Sequence, residues 1–349
     1  MKCNRGVLGL VVTGLMILSL PLTLTLIGQQ SDQQLSQSKD VDSDKPVDRA
    51  RLHQPSIWRD PGRIADSNLY YGQGGADHQP IPPFKFESED PSGTNPKFNV
   101  RDSHGTKWKV KLGDEARPEV TASRLLWAVG YYVDDDYSLD AEVQGLQLTR
   151  GPDMASNGHV VDARFEKKPE GQKKIGTWRW KDNPFTGTRE FNGLRVMMAV
   201  MNNWDLKDIN NGVYEEKKSE KDLFLVADVG ATFGTNGLSW RKGRSKGDVD
   251  TFKKSRFITR KTEVEVDFAT PAAPTPMEAA NVKQYVMRRD LEWIGKKIPI
   301  ADARWIGSLL KQLTHQQLVD AFRAGQFPPE EIEKYVGIVE SRISELAEL

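Results

Sequence analysis

The stretch that most constrains this chain runs from residue 190 to residue 230. Apolar residues at 191, 194, 197, 198 and 201 recur at the period of a buried helix. That helix leads straight into Asn203-Trp204-Asp205-Leu206-Lys207-Asp208-Ile209-Asn210. In this polar loop Asp205 and Asn210 stand five apart, with Lys207 between them. Residues 214–222 form a charged insert that can bulge into solvent as a hairpin without moving its flanks. Leu223-Phe224-Leu225-Val226-Ala227 then reads as a buried strand, ending in Asp228-Val229-Gly230. Helix, polar loop and buried strand in succession require a mixed fold.

The parts upstream follow the strand period. Pro83-Phe84-Lys85-Phe86 reads as a strand, and Asp90-Pro91-Ser92-Gly93-Thr94-Asn95-Pro96 as a turn cluster. Phe98-Asn99-Val100 alternates, and Asp102-Ser103-His104-Gly105 reads as a hairpin turn. Trp108-Lys109-Val110-Lys111-Leu112 alternates again, with Trp108, Val110 and Leu112 on one face and both lysines on the other. Arg117-Pro118-Glu119 opens a helix through Ala128, with Leu125, Leu126 and Val129 apolar and Gly130 as its stop. Pro near a helix start and Glu in the first turn suit the free N–H groups there.

Over residues 81–262 this order of parts resembles the protein kinase and phosphoinositide kinase superfamily. By that resemblance Asp205 orients the attacking hydroxyl, Lys207 neutralises the moving phosphoryl group, and Asn210 with Asp228 holds Mg²⁺. Lys111 would pair the nucleotide's phosphates, with Lys109 the alternate on the same face. Glu119 would hold that lysine, with Glu115 a competitor, and Ser92, Gly93 and Thr94 would offer backbone N–H groups to phosphate. Leu223-Phe224 ahead of Asp228-Val229-Gly230, with Gly234 beyond, leans to the atypical, lipid-kinase-like side. Trp204 stands where an Arg or His is expected before the catalytic Asp, a departure from protein-kinase-style activation.

The resemblance implies an α+β, two-lobed kinase-like fold behind an N-terminal hydrophobic segment. A small antiparallel-sheet lobe with one helix would occupy residues 81–149, and a larger, mainly helical lobe residues 150–349. The implied activity is Mg-ATP-dependent phosphotransfer to a hydroxyl acceptor, with ATP and Mg²⁺ as cofactors. Residues 241–261 hold nine Lys and Arg, which suits an anionic acceptor such as a lipid head group, a polyol phosphate or an acidic peptide. The alternative is a catalytically silent kinase-like binding or scaffold protein of the cell envelope.

Composition narrows the remaining classes. The 349 residues carry 49 basic and 49 acidic side chains, so the charge excess of a nucleic-acid binder is absent. Cys3 is the single cysteine, which rules out an intrachain disulfide framework and a cysteine metal site. His53, His78, His104, His159 and His315 lack metal-ligand spacing. A secreted lectin-like module built on the nine Trp is disfavoured, because they spread along the chain at apolar-periodic positions.

At the N-terminus Lys2 and Arg5 precede an apolar run over residues 7–27, which reads as an export signal or an uncleaved membrane anchor. Positive charge before the run and acids after it place the body outside the cytoplasm. Residues 29–80, rich in Gln, Ser, Asp, Gly and Pro, read as a flexible polar linker, with Gly72, Gly74 and Gly75 as loop. Asp134-Asp135-Asp136 reads as a solvated turn without calcium-loop spacing, and residues 150–175 as irregular. After a Pro/Ala linker at 269–276, helical patterns cover 282–293, 303–313, 314–324 and 329–346, with Thr314 and Gly325 bracketing one of them.

Overall fold

Period-two alternation builds the first half of the molecule. The computed structural model describes residues 45–349 except 94, 168–170, 235–244, 270–285 and 288. After a short strand β1 (Gln54–Ser56), the barrel strands are β2 (Phe84–Asp90), β3 (Lys97–Arg101), β4 (Lys107–Lys111) and β5 (Asp135–Gln144). A two-residue strand β6 (Ala155–Ser156) leads into β7 (His159–Lys167). The order β4-β3-β2-β5-β7 closes on itself because β4 also pairs with β7. Phe84, Phe98, Val100, Trp108, Val110, Val143, Val160 and Phe165 fill its interior. Trp108 donates its indole N–H to Asp102 Oδ2 at 2.9 Å, so the ring is buried without an orphaned donor.

Two expectations are corrected here. The small-lobe sheet expected to be antiparallel is so in every pairing but β2 with β5, a two-residue parallel contact, and it closes into a barrel. It also runs past residue 149, because β7 from the supposedly irregular 150–175 region closes it. Asp162 takes a left-handed φ of 51° and the β5–β7 register slips nearby, which breaks the alternation that would have marked this strand.

Helix α1 (Ala116–Ala128) follows β4. Its Ala122, Leu125, Leu126 and Ala128 belong to the larger of the two hydrophobic cores, not to the barrel's. The one helix assigned to the small lobe therefore gives its apolar face to the other body while it also packs on β5 and β7 of the barrel.

That body contains β8 (Gln172–Gly176), α2 (Arg189–Val200), β9 (Asn211–Glu216) and β10 (Lys221–Val226). Its sheet has the order β1-β10-β9-β8, and β9 and β10 are the two arms of the charged hairpin. Next come α3 (Val249–Lys254), β11 (Ile258–Lys261), β12 (Glu265–Phe268) and β13 (Ile298–Pro299). Three helices finish the chain: α4 (Ile300–Leu310), α5 (His315–Ala324) and α6 (Pro329–Ala347). Thr314 and Gln317 form a reciprocal capping box at the start of α5.

The expected linker is also corrected over its second half. Strand β1 pairs in parallel with β10, Gln54 opposite Lys221. Ile57, Ile64 and Leu69 are buried, and Trp58 Nε1 donates to Val129 O at 2.7 Å. A few apolar anchors in a polar stretch suffice to order it. The apolar run at residues 7–27 lies outside the described residues, among which no helix is long and apolar enough to cross a membrane.

Candidate active site

Helix α2 stops where Asn202 adopts a left-handed φ of 55°, a conformation Asn tolerates better than most residues. The chain then turns back. Trp204 N–H donates to Ala231 O at 3.1 Å, and Asp205 N–H donates to Asn203 Oδ1 at 3.0 Å. Asn210 O accepts from the N–H groups of Ala227, at 2.9 Å, and Asp228, at 3.2 Å. This double clip ties the end of the polar loop to the end of β10, so Asn210 and Asp228 lie side by side. Asn210 Nδ2 donates to Asp205 O at 2.8 Å, folding the five-residue spacing into one turn. Lys207 Nζ sits 2.8 Å from Asp205 Oδ1 and 3.0 Å from Oδ2, so cation and carboxylate of the loop are already paired.

The other half of the site comes from β4 and α1. Lys111 is buried, with its ammonium 2.7 Å from Glu115, 2.9 Å from Glu119 and 3.4 Å from Asp228. Both candidate glutamates thus hold it, one turn apart on the helix start. Asp228 lies 117 residues downstream of this lysine, and its Oδ1 also accepts from Gly230 N–H at 3.4 Å. A Cβ on Gly230 would come within 2.7 Å of Glu115 Cβ and 3.0 Å of its carbonyl oxygen. Close approach of α1 explains that glycine. The alternate Lys109 points instead to Asp90, at 3.3 Å.

Burial opposes the Lys111 ammonium, yet Glu119 and Asp228 outweigh it and raise its pKa. Burial also works to raise Glu115 and Asp228, but Lys111 prevails and both carboxyls sit below their ordinary range. For Glu119 burial wins: the carboxyl rises to about 7 against the pull of Arg164 and Lys111.

Several partners were not legible as site residues. Arg164 on β7 lies 2.8 Å from Glu119 and 2.5 Å from Glu166. Arg124 contacts Asp136 at 3.2 Å, and Ser123 Oγ donates to the same carboxylate at 3.2 Å. Burial, against the pull of Arg124 and Arg164, lifts Asp136 to about 6. The acidic run Asp134-Asp135-Asp136 is therefore buried, not a solvated turn, since arginines from α1 and β7 meet it. Lys246 pairs with Glu115 and lies over the Trp204 ring at 5.5 Å. Elsewhere in the basic segment, Arg260 pairs with Asp267 at 2.7 Å and Lys261 donates to Glu348 O, away from this cluster. Residues 241–244 lie outside the described residues.

Ser92 and Gly93 sit on the β2–β3 loop, and Thr94 lies outside the described residues. Ser92 N–H is taken by Asp90 Oδ1 at 2.9 Å, and Gly93 has a φ of 70°. Arg150 braces the loop from outside, donating to Gly93 O at 2.8 Å and Asp90 O at 3.0 Å. On the inner side Asn95 Nδ2 donates to Glu115. The loop therefore roofs the ionic cluster.

Among the described residues no group of three or more His, Cys, Asp and Glu could hold a metal. Asn210 and Asp228, adjacent at the loop–strand junction, bring one amide and one carboxylate side chain, fewer ligands than an all-protein cation site uses.

The chain is thus a mixed α/β protein with two hydrophobic cores and a buried ionic cluster where a barrel, a helix and a loop–strand junction meet. No protein-family model and no curated protein matches it. Among solved structures it is similar to that of a Helicobacter pylori proinflammatory kinase, CtkA, with a TM-score of 0.43 and 11% identity over 76% of this chain and 96% of that one. At that level the similarity carries no argument, and any role for these residues rests on the cluster itself.

Proposed function

We propose that this chain is a Mg-ATP-dependent phosphotransferase with an atypical, lipid-kinase-like arrangement, acting on a hydroxyl acceptor. The meeting of Lys111, Glu119 and Asp228 in one buried contact set carries this reading. Lys111 and Glu119 are eight residues apart on neighbouring elements, but Asp228 comes from 117 residues beyond Lys111, and each suits a different role in phosphoryl transfer. Asp205 would accept the proton of the attacking hydroxyl, and Lys207 would neutralise charge on the transferred group. Lys111, held by Glu119, would brace the nucleotide's phosphates under the loop of Ser92 and Gly93. Mg²⁺, held by Asn210 and Asp228, would supply charge neutralisation to the phosphates.

A 370 Å³ cavity lined by Val133, Leu223, Leu225, Lys167 and Gln172 would take the base. Leu225 lies three residues before Asp228, about 10 Å of extended chain, roughly the reach from a base to its outer phosphates. An anionic acceptor is supported by Lys246 at the cluster's edge. The run at residues 7–27 would export or anchor the protein outside the cytoplasm.

A silent binding protein is the second reading, favoured by one observation. The Lys111 ammonium already meets three carboxylates, and Lys246 occupies Glu115. Formation of ADP from Mg-ATP, whether the phosphoryl group goes to a hydroxyl acceptor or to water, separates the two readings. Asp205→Ala should lower the rate about 10²–10⁴-fold if Asp205 is the base. Equal rates in wild type and variant would leave only the silent reading.

A further inference from the structure

Strands β3 and β4 place two lysines directly opposite each other, Lys97 across from Lys111. Leu112 N–H donates to Pro96 O just outside this pair, at 3.0 Å, which makes it the non-hydrogen-bonded kind. Side chains stand closest across such a pair, with Cα atoms about 4.5 Å apart. Like charges directly opposite are destabilising. Lys109, two residues along the same face, adds a third ammonium.

The three lysines are not equivalent. Lys111 is held by three carboxylates, and Lys109 by Asp90. Among the described residues no carboxylate comes within ion-pair distance of the half-buried Lys97. Burial and then the charges of Lys109 and Lys111 lower its pKa, against more distant help from Asp90 and Asp228. Its ammonium also lies beneath the β2–β3 loop, since a Cβ on Gly93 would sit 3.0 Å from Lys97 Nζ. A half-buried cation without an ion-pair partner, crowded by two like charges and lying under a glycine, is arranged for an anion that arrives from outside.

We propose that Lys97 is the open phosphate-binding residue of the cluster, receiving a phosphate group of a nucleoside polyphosphate between its ammonium and the Gly93 backbone. This assignment rests on the nucleotide reading above. It divides the labour between the lysines: Lys111, held by its carboxylates, braces the phosphates from the Asp228 side, and Lys97 meets them beneath the Gly93 loop. The anion would also remove the repulsion across the ladder, so binding and stability are linked through one side chain.

Calorimetric titration of the full chain with inorganic tripolyphosphate, Mg-ATP and adenosine tests this, using wild type, Lys97→Met and Lys97→Arg, beside thermal unfolding without ligand. Lys97→Met should weaken tripolyphosphate and Mg-ATP about tenfold or more, while adenosine binds as before. Lys97→Arg, which keeps the charge, should restore most of that affinity. Without ligand, Lys97→Met should unfold about 1–3 °C above wild type, because the opposed charge is gone. Wild-type polyphosphate binding that Lys97→Met leaves intact overturns the assignment while the nucleotide site stands. A wild type that binds none of the three ligands overturns both. A lower unfolding midpoint with unchanged affinity marks Lys97 as structural and overturns it too.

Discussion

Helix α1 has two neighbours and meets them in opposite ways. Toward the larger body it buries Ala122, Leu125, Leu126 and Ala128 in a continuous apolar core. Toward the barrel it presents Glu119, Ser123 and Arg124, which meet Lys111, Arg164 and Asp136. Apolar contact is nearly indifferent to salt and pH, whereas a buried ionic seam depends on every partner being present and charged. The helix is therefore anchored to one body and ionically latched to the other. The barrel keeps a separate core of its own, so the seam is where the two bodies can respond to a charged ligand.

Variants on the two faces of α1 should separate these modes. Lys111→Met leaves Glu115, Glu119 and Asp228 without their shared cation, and should cost about 3–5 kcal/mol in urea unfolding. Leu125→Ala on the apolar face should cost about 2–5 kcal/mol, with the pH dependence of stability unchanged. Gly230→Ala forces a methyl against Glu115 and should cost about 1–3 kcal/mol. It should weaken Mg-ATP more than Leu125→Ala does, because the strain falls on the seam.

The smallest effect is a slope rather than a loss. Burial raises the folded-state pKa of Glu119 from 4.5 to about 7, so the folded chain holds a proton that the unfolded chain has released. That contribution is fully present below pH 4.5 and is lost as pH rises toward 7. Asp136, raised from 3.8 to about 6, acts with the same sign. Unfolding midpoints of Glu119→Gln should show a flatter profile across this window than wild type. An identical slope in the two would remove Glu119 from the seam's titration.

What the sequence disclosed follows the same division. Helix α1, helix α2 and the strands around Lys111 carried clean periods, and the motif from Asp205 to Gly230 lay in one continuous stretch. Barrel closure was hidden because Asp162 interrupts the alternation of β7. The burial of the run Asp134 to Asp136 was hidden because the partners come from other elements, Arg124 and Arg164 for Asp136 and His78 for Asp135. Lys97 drew no notice as a surface residue of an ordinary strand; only the register that sets it against Lys111 gives it meaning. Residues 54–69 read as linker because their anchors are few and widely spaced. Local pattern reveals elements, whereas an ionic seam exists only after they are assembled.

Thermal unfolding with and without Mg-ATP, in wild type and Asp228→Ala, tests the central claim most directly. A ligand at 100 times its dissociation constant stabilises by about 2.7 kcal/mol. For a body of this size that is a rise of several degrees, roughly 2–4 °C per kcal/mol. The account predicts a Mg-dependent rise in wild type that Asp228→Ala abolishes. No rise with any nucleotide, or the same rise in both proteins, would contradict it.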